Sequence, residues 1–347
     1  MPKAGADQMS ASLVVLLPVI LLAIVTVFCF VGCSFHVHGL PGFTKYSDTT
    51  VLANPAVVAY WPLSETNGNL PAADRTSPPN NGQYIDPTTL PAIYPWPASS
   101  INNPPGPNIE SAAAPGTVAF AQPGIVPGDA VQPADDPTKR TPCLVVNGCY
   151  INVPLNAKIN PTTSFTVEAW VRVDWDKNAP HAWRAVLDAR DFNPCTGFAI
   201  IAKADDNQPG SYHWLAVVGN GGTGAAGFTF ATSDDPPITL NDPSLPNGVT
   251  YYLAVTYDGP GQTLILFVDG EQRGPKINPA TYVPNTTNPL WIGAGVPYVA
   301  LRPQAPGVLA SPLFPYVGAI QDVAVYDAAL TSDVILTHYH NGNGTDP

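Results

Sequence analysis

Residues 250–274 read TYYLAVTYDGPGQTLILFVDGEQRG, and they constrain the fold more than any other stretch of the chain. Tyr251, Leu253, Val255 and Tyr257 alternate with Tyr252, Ala254 and Thr256, the period of two that an extended strand imposes. Asp258, Gly259, Pro260 and Gly261 turn the chain by a side-chain acceptor, free φ and a fixed φ, and lead into a second strand through Leu264, Leu266 and Val268. Asp269-Gly270 turns it once more. Both faces of this hairpin carry apolar or aromatic residues, so neither can be left in water. A second sheet must cover one face and another part of the chain the other. The expected architecture is a two-sheet sandwich.

The remaining pattern agrees. The 41 prolines in 347 residues exclude long helices and favour short strands and long loops. RAVLDARD, GFAIIAKA and YHWLAVV supply three strands up to residue 218, and the Gly-rich piece 219–227 and the Pro-rich piece 234–247 read as surface loops. CLVVNGCYINVP, residues 143–154, reads as a hairpin turned by Asn147-Gly148, with Cys143 and Cys149 on opposite sides of the ribbon. Cys195 is then a candidate partner, and Cys149 is preferred for it because it lies nearer in sequence. With a net charge of -12 and only 14 lysines and arginines, the chain lacks the basic footprint that neutralises phosphates, which excludes nucleic acid as a partner.

The 250–274 hairpin, with its Tyr-Asp-Gly and Val-Asp-Gly ends, resembles the signature of the laminin G-like jelly roll in the concanavalin A-like lectin and glucanase superfamily. Four further segments match in the same order: VVAYWPLSE at 57–65, SFTVEAWVRV at 164–173, LWIGAG at 290–295 and YVGAIQDVAVYDAAL at 316–330. ETNGNLPAADRTSPPNNGQY resembles the family's Gly-rich turn, and Trp61, Trp170 and Trp291 fall at positions that look structural. The resemblance implies an all-β, two-sheet antiparallel jelly-roll sandwich. One short C-terminal helix, VILTHYHNG, is expected to be capped by Thr331-Ser332-Asp333 and closed by Gly342.

Residues 13–32 carry no charged side chain, the length a helix needs to cross a bilayer, and Pro18 lies where a kink is tolerated. Residues 1–35 are therefore expected to be a transmembrane or signal-anchor segment, 36–54 a linker, and 55–347 the jelly roll. Phe30-Val31-Gly32-Cys33 also resembles a lipoprotein cleavage site, which would make Cys33 a lipidation site. Either route places the domain on the extracytoplasmic side of a membrane. A Pro-rich insertion at 86–141 interrupts the pattern; its aromatics Tyr94, Trp96 and Phe120 argue against pure disorder, and it is expected to lie across the sandwich surface over an apolar face.

Glucanases on this scaffold carry paired carboxylates as Glu-x-Asp-x-x-Glu, which this chain lacks. Glu168 with Asp174 and Asp176 has the wrong spacing, Asp269 with Glu271 sits at a turn, and no serine occupies a Gly-x-Ser-x-Gly elbow. A non-enzymatic module is expected. Related laminin G-like and pentraxin domains hold calcium at a sandwich rim, which makes Asp188, Asp191 and Asp258 the candidate ligands, with Asp205, Asp206 and Asp322 as further acids. The competing reading is that such acids cap turns and keep the surface soluble. His181, His213, His338 and His340 have no spacing that fixes zinc. Sugar rings present apolar faces to Trp and Tyr, so Trp175, Trp183, Tyr212 and Trp214 are the candidate ligand-binding residues, with core packing an equal alternative. Asn285-Thr286-Thr287 and Asn343-Gly344-Thr345 are glycosylation sequons in a eukaryotic secretory host. The leading functional reading is recognition of a glycan or a cell-surface protein. A structural surface component comes second, and a glycoside hydrolase third.

Overall fold

The computed structural model describes residues 46–85, 117–129, 142–175, 183–204, 211–233, 238, 249–278, 280–296 and 314–345. The expected membrane segment 1–35, with Cys33, and residues 86–116 and 130–141 of the insertion lie outside them. Among the described residues no helix is long and apolar enough to cross a membrane.

In chain order the strands are β1 (Val57–Trp61), β2 (Gln83–Ile85), β3 (Thr117–Gln122), β4 (Cys143–Asn147), β5 (Tyr150–Val153), β6 (Phe165–Val173), β7 (Arg184–Asp188), β8 (Asp191–Phe192), β9 (Cys195–Thr196), β10 (Phe198–Ala204) and β11 (Tyr212–Gly219). There follow β12 (Phe228–Thr232), β13 (Val249–Asp258), β14 (Thr263–Val268), β15 (Glu271–Gln272), β16 (Leu290–Ile292), β17 (Val317–Tyr326) and the helix α1 (Ser332–Asn343). The first sheet has the order β15-β14-β13-β6-β17-β4-β3, with β1 also on β17. The second has the order β12-β11-β10-β7-β16-β5-β2. All pairings within both sheets are antiparallel.

The central hairpin is β13–β14, and the Asp269-Gly270 turn that leads from β14 into β15 has φ of 54° and 79°, the two positive values that a tight hairpin needs. Leu253, Val255 and Tyr257 join Val167, Val171, Ile200, Val218 and Ile292 in the core between the sheets. Burying each large apolar side chain there contributes about 1.5–3 kcal/mol. Trp61 and Trp291 are buried as well.

The opposite face of the first sheet is also dry. Tyr252, Trp170, Phe267, Ala319 and Tyr326 form a second cluster with Tyr46, Val51, Ile125, Val126 and Ile335. Three pieces of chain cover this face: a helical turn at Ser47–Val51, the segment Ile125 to Asp129, and α1. The turn at Ser47–Val51 falls within the stretch expected to be a linker, so part of that stretch is built into the domain. Of the described piece of the insertion, Ile125 and Val126 pack onto this face, and β3 lengthens the first sheet by pairing with β4.

Three local expectations change. Asn147-Gly148 does not close a hairpin: β4 lies in the first sheet and β5 in the second, so Gly148 (φ 79°) lets the chain cross between layers. Helix α1 ends at Gly344 in the left-handed conformation, and Gly342 lies inside the helix. Gly342 faces the Trp170 ring, which leaves no room for a side chain. The Cys149–Cys195 bridge is not formed. Cys195 is a buried free thiol directed at the carbonyls of Phe192 and Gly224, and Cys143 is likewise free, donating to the Pro123 carbonyl at 3.1 Å.

Candidate functional site

Alternation along β10 and β11 separates two roles. Ile200, Ala202, Trp214, Ala216 and Val218 enter the core, whereas Ala199, Ile201, Leu215 and Val217 face outward and form their own buried cluster with Ala185. Trp183, Phe228 and Phe314 pack against this floor. Pairing fixes the rows: Lys203 lies opposite His213, Ile201 opposite both Ala185 and Leu215, and Val217 opposite both Ala199 and Phe230. The outer face of the second sheet is therefore an apolar floor with Trp183, Lys203 and His213 across one end and Phe228 and Phe230 at the other. From Lys203 to Ala199 the face runs about 13 Å, at roughly 3.3 Å per strand residue.

Trp183, Lys203 and His213 are each half-buried. Lys203 Nζ sits 5.9 Å from the centroid of the Trp183 ring, and Trp183 lies 5.6 Å from Phe314. Among the described residues neither Trp183 Nε1 nor His213 Nδ1 has a hydrogen-bond partner, although both atoms are buried. Phe230 is 37% exposed. Trp183 is thus the one sequence candidate left at the surface. Trp175, Tyr212 and Trp214 are 3%, 1% and 2% exposed and belong to the core. Trp175 packs edge-on against Tyr212 and Tyr316, and Trp214 against Tyr251. Tyr212 and Trp214 sit on the inward-facing side of β11 and Trp175 continues the inward row of β6 just past its end, a parity that strand alternation alone leaves ambiguous near loops.

The candidate calcium ligands are not brought together. Asp188 is fully buried in a bidentate pair with Arg190, at 2.9 and 2.7 Å, and also accepts from the Val296 amide. Asp191 accepts from the amides of Phe192 and Asn193 and from Thr287 Oγ1. Asp258 closes the β13–β14 turn in the other sheet, accepting from the Gly261 amide. Among the described residues no group of three or more His, Cys, Asp or Glu is arranged to hold a metal ion. These acids order loops.

A second polar cluster lies beneath the cover of the first sheet. Glu168, at the centre of β6, is fully buried. Its Oε1 accepts from Tyr46 at 3.2 Å and Tyr326 at 2.6 Å, and its Oε2 accepts from Tyr252 at 2.6 Å and lies 2.9 Å from His338 Nδ1. Burial pushes the Glu168 carboxyl up, but the His338 charge and the hydrogen bonds from His338, Tyr252 and Tyr326 overcome it and hold it below its ordinary range. Burial pushes His338 down, and the Glu168 carboxylate more than offsets this, leaving it raised. Burial first, then Glu168, pushes the Tyr46, Tyr252 and Tyr326 phenols up, which keeps them as donors.

Beside this cluster, β17 carries a bulge where its edge partner changes from β4 to β1, with Asp322 at φ 53°. Asp322 and Asp129 are both fully buried, and Gln321 Nε2 donates to each, at 3.2 and 3.4 Å. Tyr60 donates to Asp322, and the Ser47 amide to Asp129 at 3.1 Å. Burial, then the Asp129 charge, pushes the Asp322 carboxyl well up. Neither cluster reaches solvent, so both act as clamps for the cover. One sequence signal was present: Glu168 is a charge inside a strand with apolar residues on both faces, and such a group must be paired.

No curated protein matches the chain. Among solved structures, the receptor binding domain of botulinum neurotoxin C/D mosaic serotype is similar at 10% identity and TM-score 0.45, over 82% of this chain and 51% of that one. The botulinum neurotoxin serotype D ligand binding domain, solved with N-acetylneuraminic acid, gives 10% identity and TM-score 0.44, over 82% and 50%. A SAP-like pentraxin from Limulus polyphemus gives 13% and 0.36, over 52% and 70%. The chain thus spans about half the length of the neurotoxin domains. The family model for the concanavalin A-like lectin/glucanases superfamily matches residues 147–336, more than half of the 347 residues and the stretch from the end of β4 into α1. With two antiparallel sheets, the central hairpin and the C-terminal helix in place, this chain belongs to the concanavalin A-like lectin/glucanases superfamily.

Proposed function

We propose that this is a non-enzymatic binding module that recognises a glycan through the outer face of its second sheet. The observation that carries this reading is the half-buried Trp183, with Lys203 Nζ 5.9 Å from its ring centroid, on a face that also presents Phe230, 37% exposed. Apolar sugar faces pack on aromatic side chains, and sugar hydroxyls bond to polar groups set beside them. The run at 13–32, or a lipid on Cys33, would hold the domain on the extracytoplasmic side of a membrane, where glycans and surface proteins are found.

The test is glycan-array binding by the full chain, with calcium and again with a chelator. Binding that Trp183→Ala reduces at least about tenfold, with the thermal unfolding midpoint preserved, supports the reading. Loss of that binding on chelation would add calcium to the site.

A second reading, a structural component of the cell surface, is favoured by the burial of Trp175, Tyr212 and Trp214 and of the floor residues Ala199, Ile201, Leu215 and Val217. A folded chain that binds nothing in either condition supports that one.

A further inference from the structure

Independently of the glycan reading, we infer that the free edge of β12 takes an extended peptide, one with apolar side chains at alternate positions and basic residues at its ends. β12 is the terminal strand of the second sheet, and among the described residues no strand pairs with its outer side. Its bonds to β11 fix which peptide groups face outward. The Asn220 amide donates to the Gly227 carbonyl and the Ser233 amide to the Trp214 carbonyl, so residues 227, 229, 231 and 233 turn towards β11 and Phe228, Phe230 and Thr232 turn away. The Phe228 amide is taken by the Ala225 carbonyl. Among the described residues the Phe228 carbonyl and both peptide groups of Phe230 and Thr232 are left unpaired, a row of donors and acceptors along one edge. The edge is accessible: Phe230 is 37% exposed, and Phe228, Thr229 and Thr232 are half-buried.

The other strand edges are short, bent or occupied. β15 has two residues, and its Glu271 pairs with Arg273 at 3.1 Å; β2 has three residues; β3 carries a bulge with Ala121 at φ 52°. The free side of β1 is taken by residues 74–76: the Tyr60 amide donates to Asp74, the Arg75 amide to the Tyr60 carbonyl, and Thr76 Oγ1 to the Val58 carbonyl. These are the usual protections of an edge. β12 has none of them, because FTFAT carries no charge and no proline and pairs with β11 without a bulge. Only an extended main chain matches the spacing of the open row, and an apolar side chain on the added strand packs beside Phe230. Charge decides between extended partners. A second copy brings the same net charge of -12, whereas a peptide with basic ends is attracted.

Titration calorimetry on the full chain tests this with a synthetic peptide that alternates valine and threonine between terminal lysines, the same peptide with terminal glutamates, and the lysine peptide N-methylated at alternate amides. The lysine peptide is expected to bind at least about tenfold more tightly than the glutamate one, with the gap shrinking in high salt. N-methylation blocks strand pairing and leaves the charge, so it should reduce binding at least about tenfold in one of the two methylation registers. Thr232→Pro removes an outward-facing amide without touching the bonds to β11, and should weaken the lysine peptide to a similar degree. If Thr232→Pro does not fold, the N-methylated peptides read the same bonds from the other side. Binding of the lysine peptide that neither methylation register nor Thr232→Pro weakens is charge attraction alone and overturns the proposal, as does no binding by folded protein. Dimerisation in sedimentation velocity that Thr232→Pro abolishes would give the edge to a second copy and overturn the peptide as its occupant.

Discussion

Glu168 is a carboxylate placed where water does not reach, and the four groups around it replace its hydration shell. Such a pair is stabilising only while both partners keep their charges. Glu168 is held below its ordinary value of 4.5, so its contribution is present above that pH and is lost as pH falls through the lower folded value. His338 is held above 6.5, so its contribution is complete below that pH and is lost as pH rises through the raised value. Urea denaturation across pH should therefore show a plateau of stability between these limits. His338→Gln should cost about 3 kcal/mol or more on the plateau and flatten the decline above pH 6.5; an alkaline limb parallel to that of the parent would argue against the pair.

Asp322 has the opposite sense. Its raised value makes the folded state hold a proton that the unfolded chain releases, so it lowers stability progressively as pH rises above 3.8 towards the folded value. Asp322→Asn keeps an acceptor for Tyr60 and removes the charge. The variant is expected to be more stable than the parent at pH 7, with the advantage vanishing in strong acid, as denaturant midpoints would show.

At the scale of elements, α1 is defined by its ends and by one glycine. The Thr331 hydroxyl accepts from the Val334 amide at 3.5 Å, and Gly344 terminates the helix at φ 69°. Gly342 between them looks like a helix end in sequence, because glycine after a polar run is the usual stop signal. What the sequence does not display is Trp170, 172 positions earlier on β6, whose ring occupies the space of a side chain at 342. Gly342→Ala gains up to about 1 kcal/mol of helix propensity and meets that ring. The collision dominates, so the thermal midpoint is expected to fall, by an amount corresponding to about 1–3 kcal/mol; a midpoint at or above that of the parent would show that the helix shifts freely.

The Asn147-Gly148 crossing teaches the same lesson. A two-residue turn signal is local, whereas the choice between pairing back and crossing to the other sheet belongs to β17 and β16, which take up the two halves. The central hairpin had no such competitor, and its register and turns were legible throughout. Of the site, Trp183 was legible as an aromatic near a strand end, but its separation from Trp175, Tyr212 and Trp214 depends on which face each strand turns inward.

At the scale of the whole molecule, the two outer faces are treated differently. That of the first sheet lies under Ser47–Val51, Ile125 to Asp129 and α1, tied down by Tyr46 on Glu168, Ser47 on Asp129 and Asn341 on Thr50. That of the second sheet carries the half-buried aromatics Trp183 and Phe228, with Lys203 beside Trp183. The clamp at Tyr46 and Ser47 has a mechanical consequence. A load applied to the domain from its N-terminal side reaches these two residues before it reaches β1. The Ser47–Val51 turn and its anchors on Glu168 and Asp129 therefore bear that load ahead of the strand ladders of both sheets.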